Sequence, residues 1–229
     1  MAQYEIDNIV KEVRLIIDEN EDNEKLITEA DEVASNTDAI TKAMVVQGID
    51  TVHRLAPLWR LSPLGVGYTV SLAEYKKGKR GYLPTDFLRL VYAEAEDWPG
   101  LMSDTVDIDS DEYKMQSSKF AGIRGSVEKP VVAIVPGMII PAAKGADAQG
   151  TDPGLIIEVY TTNKPTVNIA YVKKANVTNN KVEIAEKCKE AVLYMIAKYY
   201  MVNVGELERA KSYDAVAAEL LGLTTGDEQ

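Results

Sequence analysis

The residues that most often carry chemistry in proteins are scarce in this chain. Its 229 residues include one histidine, His53, and one cysteine, Cys188. A tetrahedral metal site needs several histidine or cysteine ligands, and a catalytic triad needs a histidine with suitable partners. Because these two residues supply neither, the sequence predicts no metal ion, no organic cofactor and no catalytic residue, and the chain is not expected to be an enzyme.

Both residues have structural interpretations instead. His53 is expected near the C-terminal end of a helix, in a structural or surface role, where a positively charged ring would suit the helix dipole. Cys188 falls on the apolar stripe of a later helix and is expected to fill a core position as a small hydrophobic side chain.

Carboxylates are plentiful, and one acidic run resembles the start of a calcium-binding loop. The run DIDSDEY, residues 107–113, carries acids at alternate positions, but an EF-hand requires glycine and glutamate where this chain has Glu112 and Ser118. A helix N-terminus is favoured, with Asp109 accepting a hydrogen bond from the Glu112 amide and the helix running through Met115. No segment isolates two carboxylates among apolar residues, so acid–base catalysis is not supported.

The densest basic stretch is KKGKRG, residues 76–81, which we call the basic run. It is typical of a hairpin tip, in which Gly78 and Gly81 take positive φ angles and the cations keep the strand edge soluble. It is also suited to form a positive finger that contacts phosphate or an acidic neighbour, and the two interpretations are compatible. The residues that would make such a contact are Lys76, Lys77, Lys79 and Arg80.

Acidic residues dominate the chain and are concentrated near its start. The formal net charge is −11, and residues 1–35 hold eleven acids against three basic residues. A groove that grips nucleic acid needs clustered lysine and arginine, so the composition argues against this kind of site. The acidity favours solubility, or a surface that lets DNA pass without binding it.

Apolar residues at helical spacing mark both ends of the chain. They predict a helix over residues 4–18 and another over 38–55, which follows a turn and cap at SNTD, residues 35–38. Towards the other end they predict a helix over 182–203, apolar on much of its circumference, and a shorter helix from Leu207 to Leu221.

The middle of the chain has the pattern of β-structure, with β-branched residues in short bursts between prolines and glycines. The predicted strands lie over residues 61–84, 130–135, 154–160 and 166–172. Residues 136–154 are expected to form a long loop. Residues 85–97 fit a buried strand and a helix, and periodicity does not choose between them.

Helices at both ends with strands between them predict an α+β fold, in which the terminal helices close one helical bundle and a β-rich module is inserted. The predicted divisions are residues 1–58 and 180–229 for the bundle and residues 59–179 for the β-rich domain. No apolar run approaches the length that spans a membrane, so no membrane contact is expected.

Several short motifs follow one another in a recognisable order. An LP-x-D-F motif opens a strand that ends at a tryptophan; then come a short helix near a tyrosine, two apolar strands and a long helix. In this chain the motifs occupy residues 83–87, Trp98, Tyr113, and residues 130–134, 155–160 and 189–200. This order resembles the head-to-tail adaptor proteins (connectors, tail tubular protein A-like) of short-tailed phages, including the ring proteins of crAss-like phages. The resemblance covers most of the chain and implies a strand after Phe87.

The resemblance implies a structural virion protein. Such adaptors form a ring of about twelve copies beneath the portal protein, where they extend the DNA channel and dock the tail. The implied partners are further copies of the chain, the portal, downstream tail or second ring proteins, and genomic DNA that passes without specific binding. The implied location is the head–tail junction of a virion assembled in the host cytoplasm. The residues expected at the portal are Leu220, Leu221, Leu223, Thr224 and Thr225.

Two other classes of protein stay open on the sequence. One is an enzyme with a non-obvious site, which would have to be built from Asp, Glu, Lys and Tyr. The other is a monomeric module that binds one acidic or helical partner. The mass of the native particle separates both from a ring.

Overall fold

The fold is of the α+β class, with α-helices and antiparallel β-sheets. A computed structural model describes residues 2–18, 30–61, 66–76, 78–137, 154–160 and 162–223. In chain order the elements are β1 (Ala2–Glu5), α1 (Ile6–Asp18), α2 (Ala30–Leu55), β2 (Val66–Ser71), β3 (Ala73–Tyr75), β4 (Gly78–Tyr82), β5 (Phe87–Glu94), α3 (Asp111–Met115), β6 (Val131–Pro136), β7 (Leu155–Tyr160), β8 (Thr166–Lys173), β9 (Lys181–Ile184), α4 (Lys189–Val204) and α5 (Leu207–Leu221). None of these helices is long and apolar enough to cross a membrane.

The chain divides into two compact units. Unit 1 comprises residues 1–64 and 174–229, and unit 2 comprises residues 65–173. The divisions fall six residues from those expected at 58 and 180. Unit 1 therefore contains both ends of the chain, and unit 2 is the stretch between them.

In unit 1, helix α4 contacts α1, α2 and α5. Its side chains are buried around most of its circumference, as the apolar pattern predicts, and Met195 and Ile196 are almost fully buried. Helix α2 approaches α4 closely at Gly48, where a Cβ would lie 2.6 Å from Cγ1 of Ile196. A larger residue there would force the helices apart.

A two-stranded sheet in unit 1 corrects the predicted start of two helices. Strand β1 pairs with β9 in antiparallel register, Ala2 opposite Ile184, so helix α1 begins at Ile6 and α4 begins at Lys189. Strand β9 alternates buried and more exposed side chains, with Val182 buried. The prediction that the helix begins at residue 182 was wrong. It relied on the four-residue spacing of Ile184 and Cys188, which a strand followed by a turn also produces.

Helix α2 runs without interruption through the predicted SNTD turn. The Thr37 hydroxyl lies 3.3 Å from the Tyr200 hydroxyl of α4, and Asp38 forms a 3.5 Å ion pair with Arg14 of α1. These polar side chains contact neighbouring helices and do not terminate helix α2, so the prediction of a turn was wrong. Helix α2 stops at Leu55, before Pro57, as predicted.

Unit 2 is built on two sheets, with strand orders β2–β8–β5 and β3–β4–β7–β6. Strands β6, β7 and β8 confirm the predictions for their segments, and β5 shows that residues 87–94 form a strand. Phe87 on β5 stacks on Tyr171 of β8, with ring centroids 5.5 Å apart, and Trp98 is buried in the same core. Within the predicted loop, residues 138–153 lie outside the described residues.

The short helix α3 begins one residue later than the predicted capping box. The N-cap is Ser110, whose hydroxyl accepts the Tyr113 N–H at 3.2 Å, so Asp109 does not cap the helix. The Asp107 carboxylate accepts the Asp109 N–H at 3.1 Å and orders the preceding turn. Serine fits this cap at least as well as aspartate, and only the backbone path decides between adjacent candidates.

Candidate interaction sites

The basic run begins at Lys76, in the connection between strands β3 and β4, and its residues 78–81 belong to β4. Lys76 carries the positive φ, at 50°, whereas Gly78 and Gly81 do not, so that prediction was wrong. Glycine is required at these two positions because neighbouring atoms leave no room for a side chain. A Cβ at Gly78 would lie 2.7 Å from the Val159 carbonyl oxygen, and one at Gly81 would clash with the Val70 side chain.

The cations of the basic run have different surroundings. Lys79 makes its contacts within unit 2. Its Nζ donates to the Lys164 carbonyl oxygen at 2.9 Å and forms an ion pair with the Glu74 carboxylate at 3.4 Å. Lys76 and Arg80 lie over the Tyr75 ring, at 4.9 and 4.3 Å from its centroid. We call these three residues the Tyr75 cluster. Lys77 lies outside the described residues.

The surroundings of Lys76 favour its charged form. The hydrogen bond with Tyr75 raises the pKa of Lys76 above its ordinary value, and the nearby Tyr113 and Glu158 add to the shift. Lys76 is exposed, so its charge is available to a partner at any ordinary pH. The cluster can therefore bind an anionic group, but it presents no base for proton transfer.

A buried carboxylate, which no sequence pattern indicated, lies beside this cluster. Glu158 on β7 is 5% exposed and pairs in register with Arg80. Its Oε2 accepts hydrogen bonds from the hydroxyls of Tyr160, at 2.6 Å, and Tyr113, at 2.8 Å. Tyr113 belongs to α3, so this carboxylate fastens the short helix to the sheet.

The two phenols act as fixed donors. Burial, together with the hydrogen bond and charge of Glu158, raises the pKa of both Tyr113 and Tyr160 above the ordinary value for tyrosine. Both hydroxyls stay protonated near neutral pH, so they hold the carboxylate in place and do not exchange protons with a substrate. The arrangement is one of positioning rather than of acid–base catalysis.

Unit 1 presents a second aromatic residue with cations, which no sequence motif indicated. Trp59 is 62% exposed, the Arg60 guanidinium lies 4.7 Å from its ring centroid, and the Lys187 Nζ lies 5.7 Å from it. We call these three residues the Trp59 cluster. Leu55 and Leu58 are exposed nearby in the chain. The sequence showed Trp59 beside Arg60, but only the fold brings Lys187 to them.

Short turns with buried anchors position the Trp59 cluster. Pro57, with φ −56°, precedes a 3-10 turn over Leu58–Arg60, and the buried Leu61 follows it. Lys187 lies in a second 3-10 turn, Glu186–Cys188, whose last side chain is fully buried. Because each turn is tied to the core at Leu61 or Cys188, the exposed ring and the lysine keep a defined relation.

The cations of the Trp59 cluster have no acidic partner in the part of the chain that the structure describes. The Arg60 Nε is buried and has no hydrogen-bond acceptor there. Other cations of unit 1 do have carboxylate partners, as in the ion pairs at 2.7 Å that Lys189 forms with Glu12 and Lys198 forms with Asp214. In a chain of net charge −11, cations without acids mark a surface that can accept an acidic partner.

His53 is a core residue, and the expectation of a charged ring was wrong. It is 1% exposed, and its Nε2 accepts the Ala185 N–H at 3.3 Å. Burial lowers the pKa of His53 to about 4, so the ring is neutral near pH 7. Cys188 is fully buried, as predicted, and burial raises the pKa of its thiol. Among the described residues no group of three or more His, Cys, Asp or Glu side chains could hold a metal ion.

The residues expected at the portal differ in accessibility. Leu221 is 1% exposed and packs within unit 1, Leu220 is half-buried, and Leu223 is exposed. Helix α5 ends in a left-handed cap at Gly222, with φ 72°, and the Leu223 N–H reaches back to the Ala218 carbonyl oxygen at 2.9 Å. Thr224 and Thr225 lie outside the described residues.

No protein-family model matches this chain, and comparison with curated proteins finds no significant match.

Proposed function

We propose that this chain is a structural virion protein that forms a ring below the portal, extends the DNA channel and docks the tail. The proposal rests on the order of motifs shared with head-to-tail adaptors. The observation that carries it is the Trp59 cluster, because a 62% exposed indole, flanked by cations that have no acidic partner among the described residues, is suited to bind another protein. In this proposal the helices of unit 1 form the bundle and unit 2 is the inserted β-rich module.

A second exposed apolar surface supports the same conclusion. Met115, Phe120 and Ile123 follow one another through and after α3, and Phe120 is 76% exposed. The Gln116 side chain holds this stretch together, since its Nε2 donates to the Glu112 carbonyl and its Oε1 accepts the Gly125 N–H. Exposed apolar residues on a fixed backbone are typical of protein interfaces.

The charge of the chain suits a channel that conducts DNA. A net charge of −11 repels phosphate and keeps transient contacts weak, so genomic DNA passes without specific binding. The Tyr75 cluster is the local exception in unit 2. In the ring it contacts an acidic neighbour or meets the DNA backbone at single points, which are the two contacts expected of the basic run.

The C-terminal residues make the contact with the portal in this proposal. Leu221 stabilises the end of α5 by its own burial, so the exposed Leu223 and the following Thr224 and Thr225 are the residues that reach the portal. The half-buried Leu220 contributes at the edge of that contact. The protein is then located at the head–tail junction, between the portal and the downstream tail or second ring proteins.

Native mass spectrometry of the purified chain tests the proposal. A ring of about twelve copies of the 25.2 kDa chain has a mass of about 300 kDa. A particle of that order supports a ring. A chain that stays at 25.2 kDa at every concentration and shows hydrolytic or transfer activity would favour the enzyme alternative, and an inactive monomer would favour a module that binds one partner.

A further inference from the structure

The Trp59 cluster has the composition of one half of a protein–protein contact. Arg60 and Lys187 supply positive charge, the Trp59 ring supplies a large rigid apolar face, and Leu55 and Leu58 are exposed at 48% and 37%. A partner that matches this surface carries carboxylates together with apolar side chains. The two leucines and the net charge of −11 favour a protein segment over nucleic acid.

Unit 2 presents a segment with the opposite charge and a similar apolar content. Residues 104–115, which we call the acidic segment, hold five acids and one lysine. The acids are all exposed, and so are Ile108, at 38%, and Met115, at 46%. The acids are Asp104, Asp107, Asp109, Asp111 and Glu112.

The acidic segment is held in a fixed conformation. Ser110 caps α3, and the Tyr113 hydroxyl donates to the buried Glu158 carboxylate at 2.8 Å. A segment that is ordered before binding loses less conformational entropy when it docks. The exposed acids are therefore presented by a backbone that is already in place.

We propose that the acidic segment of one copy docks on the Trp59 cluster of the next copy. This inference rests on the proposed ring and names the contact that would close it. Neither surface is complementary to itself, because each carries a net charge of one sign. Two copies related by a two-fold axis would make this contact twice and form a dimer, whereas the proposed ring requires the head-to-tail form, in which each copy contacts two different neighbours.

Two variants, each lacking one half of the contact, test the proposal in the full chain. The first combines Trp59→Ala with Lys187→Glu, and the second combines Asp104→Lys with Asp109→Lys. A control matched to the second variant combines Glu94→Lys with Glu128→Lys, which makes the same charge change as that variant at exposed acids outside the acidic segment. Circular dichroism and thermal melting establish that all three are folded.

Sedimentation velocity then gives the assembly state. Wild type and the control are expected to assemble, and each of the two contact variants alone is expected to be a monomer. An equimolar mixture of these two variants is expected to give a two-chain particle of about 50 kDa and nothing larger, because one intact contact remains per pair.

Four results overturn the proposal. If the Trp59→Ala/Lys187→Glu variant forms the wild-type ring, or if the mixture stays monomeric, the named contact is wrong while the ring stands. If that variant assembles normally but loses binding to a single-stranded oligonucleotide that wild type binds, the cluster is a nucleic-acid site. A wild type that never assembles contradicts both the ring and this contact.

Discussion

Unit 2 buries a carboxylate that accepts two hydrogen bonds, whereas unit 1 buries a neutral imidazole that accepts one. Glu158 accepts hydrogen bonds from the hydroxyls of Tyr113 and Tyr160, and His53 accepts one from the Ala185 N–H. A buried charge needs dense hydrogen bonding to offset its desolvation, while a neutral ring needs little. The two units therefore stabilise their buried polar groups by different means.

The comparison also shows where each buried group acts. Glu158 fastens α3, which belongs to the acidic segment, through Tyr113. His53 fastens the backbone at Ala185, two residues before Lys187 of the Trp59 cluster. Each buried group is thus hydrogen-bonded to a residue in or close to one half of the proposed contact between copies. Loss of either group is expected to weaken assembly as well as folding.

Removing a donor to Glu158 is expected to have the largest effect. Tyr160→Phe leaves a buried carboxylate short of one hydrogen bond and is expected to lower the free energy of unfolding by about 3 kcal/mol. Tyr113→Phe, at a less buried position, is expected to cost about 1.5 kcal/mol. Urea denaturation measures both, and Tyr68→Phe, at an exposed tyrosine of the same unit, serves as a control with no expected change.

If Tyr160→Phe and Tyr68→Phe prove equally stable, Glu158 does not depend on its donors, and the contrast between the units fails. Assembly gives a second measure. Since Tyr113 also positions α3, Tyr113→Phe is expected to weaken the ring more than its effect on stability alone would explain.

The His53 side of the comparison has an effect on stability that depends on pH and is smaller than that of Tyr160→Phe. The pKa of His53 is about 4 in the folded chain and about 6.5 when unfolded, so the unfolded state binds the proton more readily. Stability from this group is present above pH 6.5 and is lost as the pH falls towards 4, by about 2 kcal/mol between pH 7 and 5. Denaturation of the wild type and of His53→Gln at both pH values measures it.

His53→Gln keeps an acceptor for the Ala185 N–H but cannot titrate, so its stability is expected to fall less between pH 7 and 5 than that of the wild type. The shared fall that both proteins show is due to their other ionisable groups. If the free energy of unfolding falls equally in the two proteins between pH 7 and 5, the imidazole of His53 is not held neutral in the folded state.

Hydrophobic periodicity predicted the positions of most elements that bury one continuous face of their own. Helices α1 and α5 and strands β7 and β8 lie close to where their patterns placed them. Strand β9 was missed because its four residues are shorter than the window over which a helical period is read. Its pairing with β1 joins segments that are far apart in the sequence, and no local pattern encodes such a partner.

The interaction sites were less accessible to sequence reasoning than the fold. The basic run was visible as composition, but the sequence could not show that Lys79 is used inside unit 2 while Lys76 and Arg80 flank Tyr75. Lys187 reaches Trp59 only after the chain has folded, and Tyr113 reaches Glu158 only through the packing of α3 on its sheet. A site assembled from distant segments can be recognised only when the topology of the fold is known.

Electron microscopy of the particle formed by the purified full chain tests the central claim most directly. End-on views are expected to show a closed ring of about twelve subunits around an open channel, with neighbours related by rotation about one axis. A compact monomer, a two-fold dimer or an open filament in place of closed rings would contradict the account.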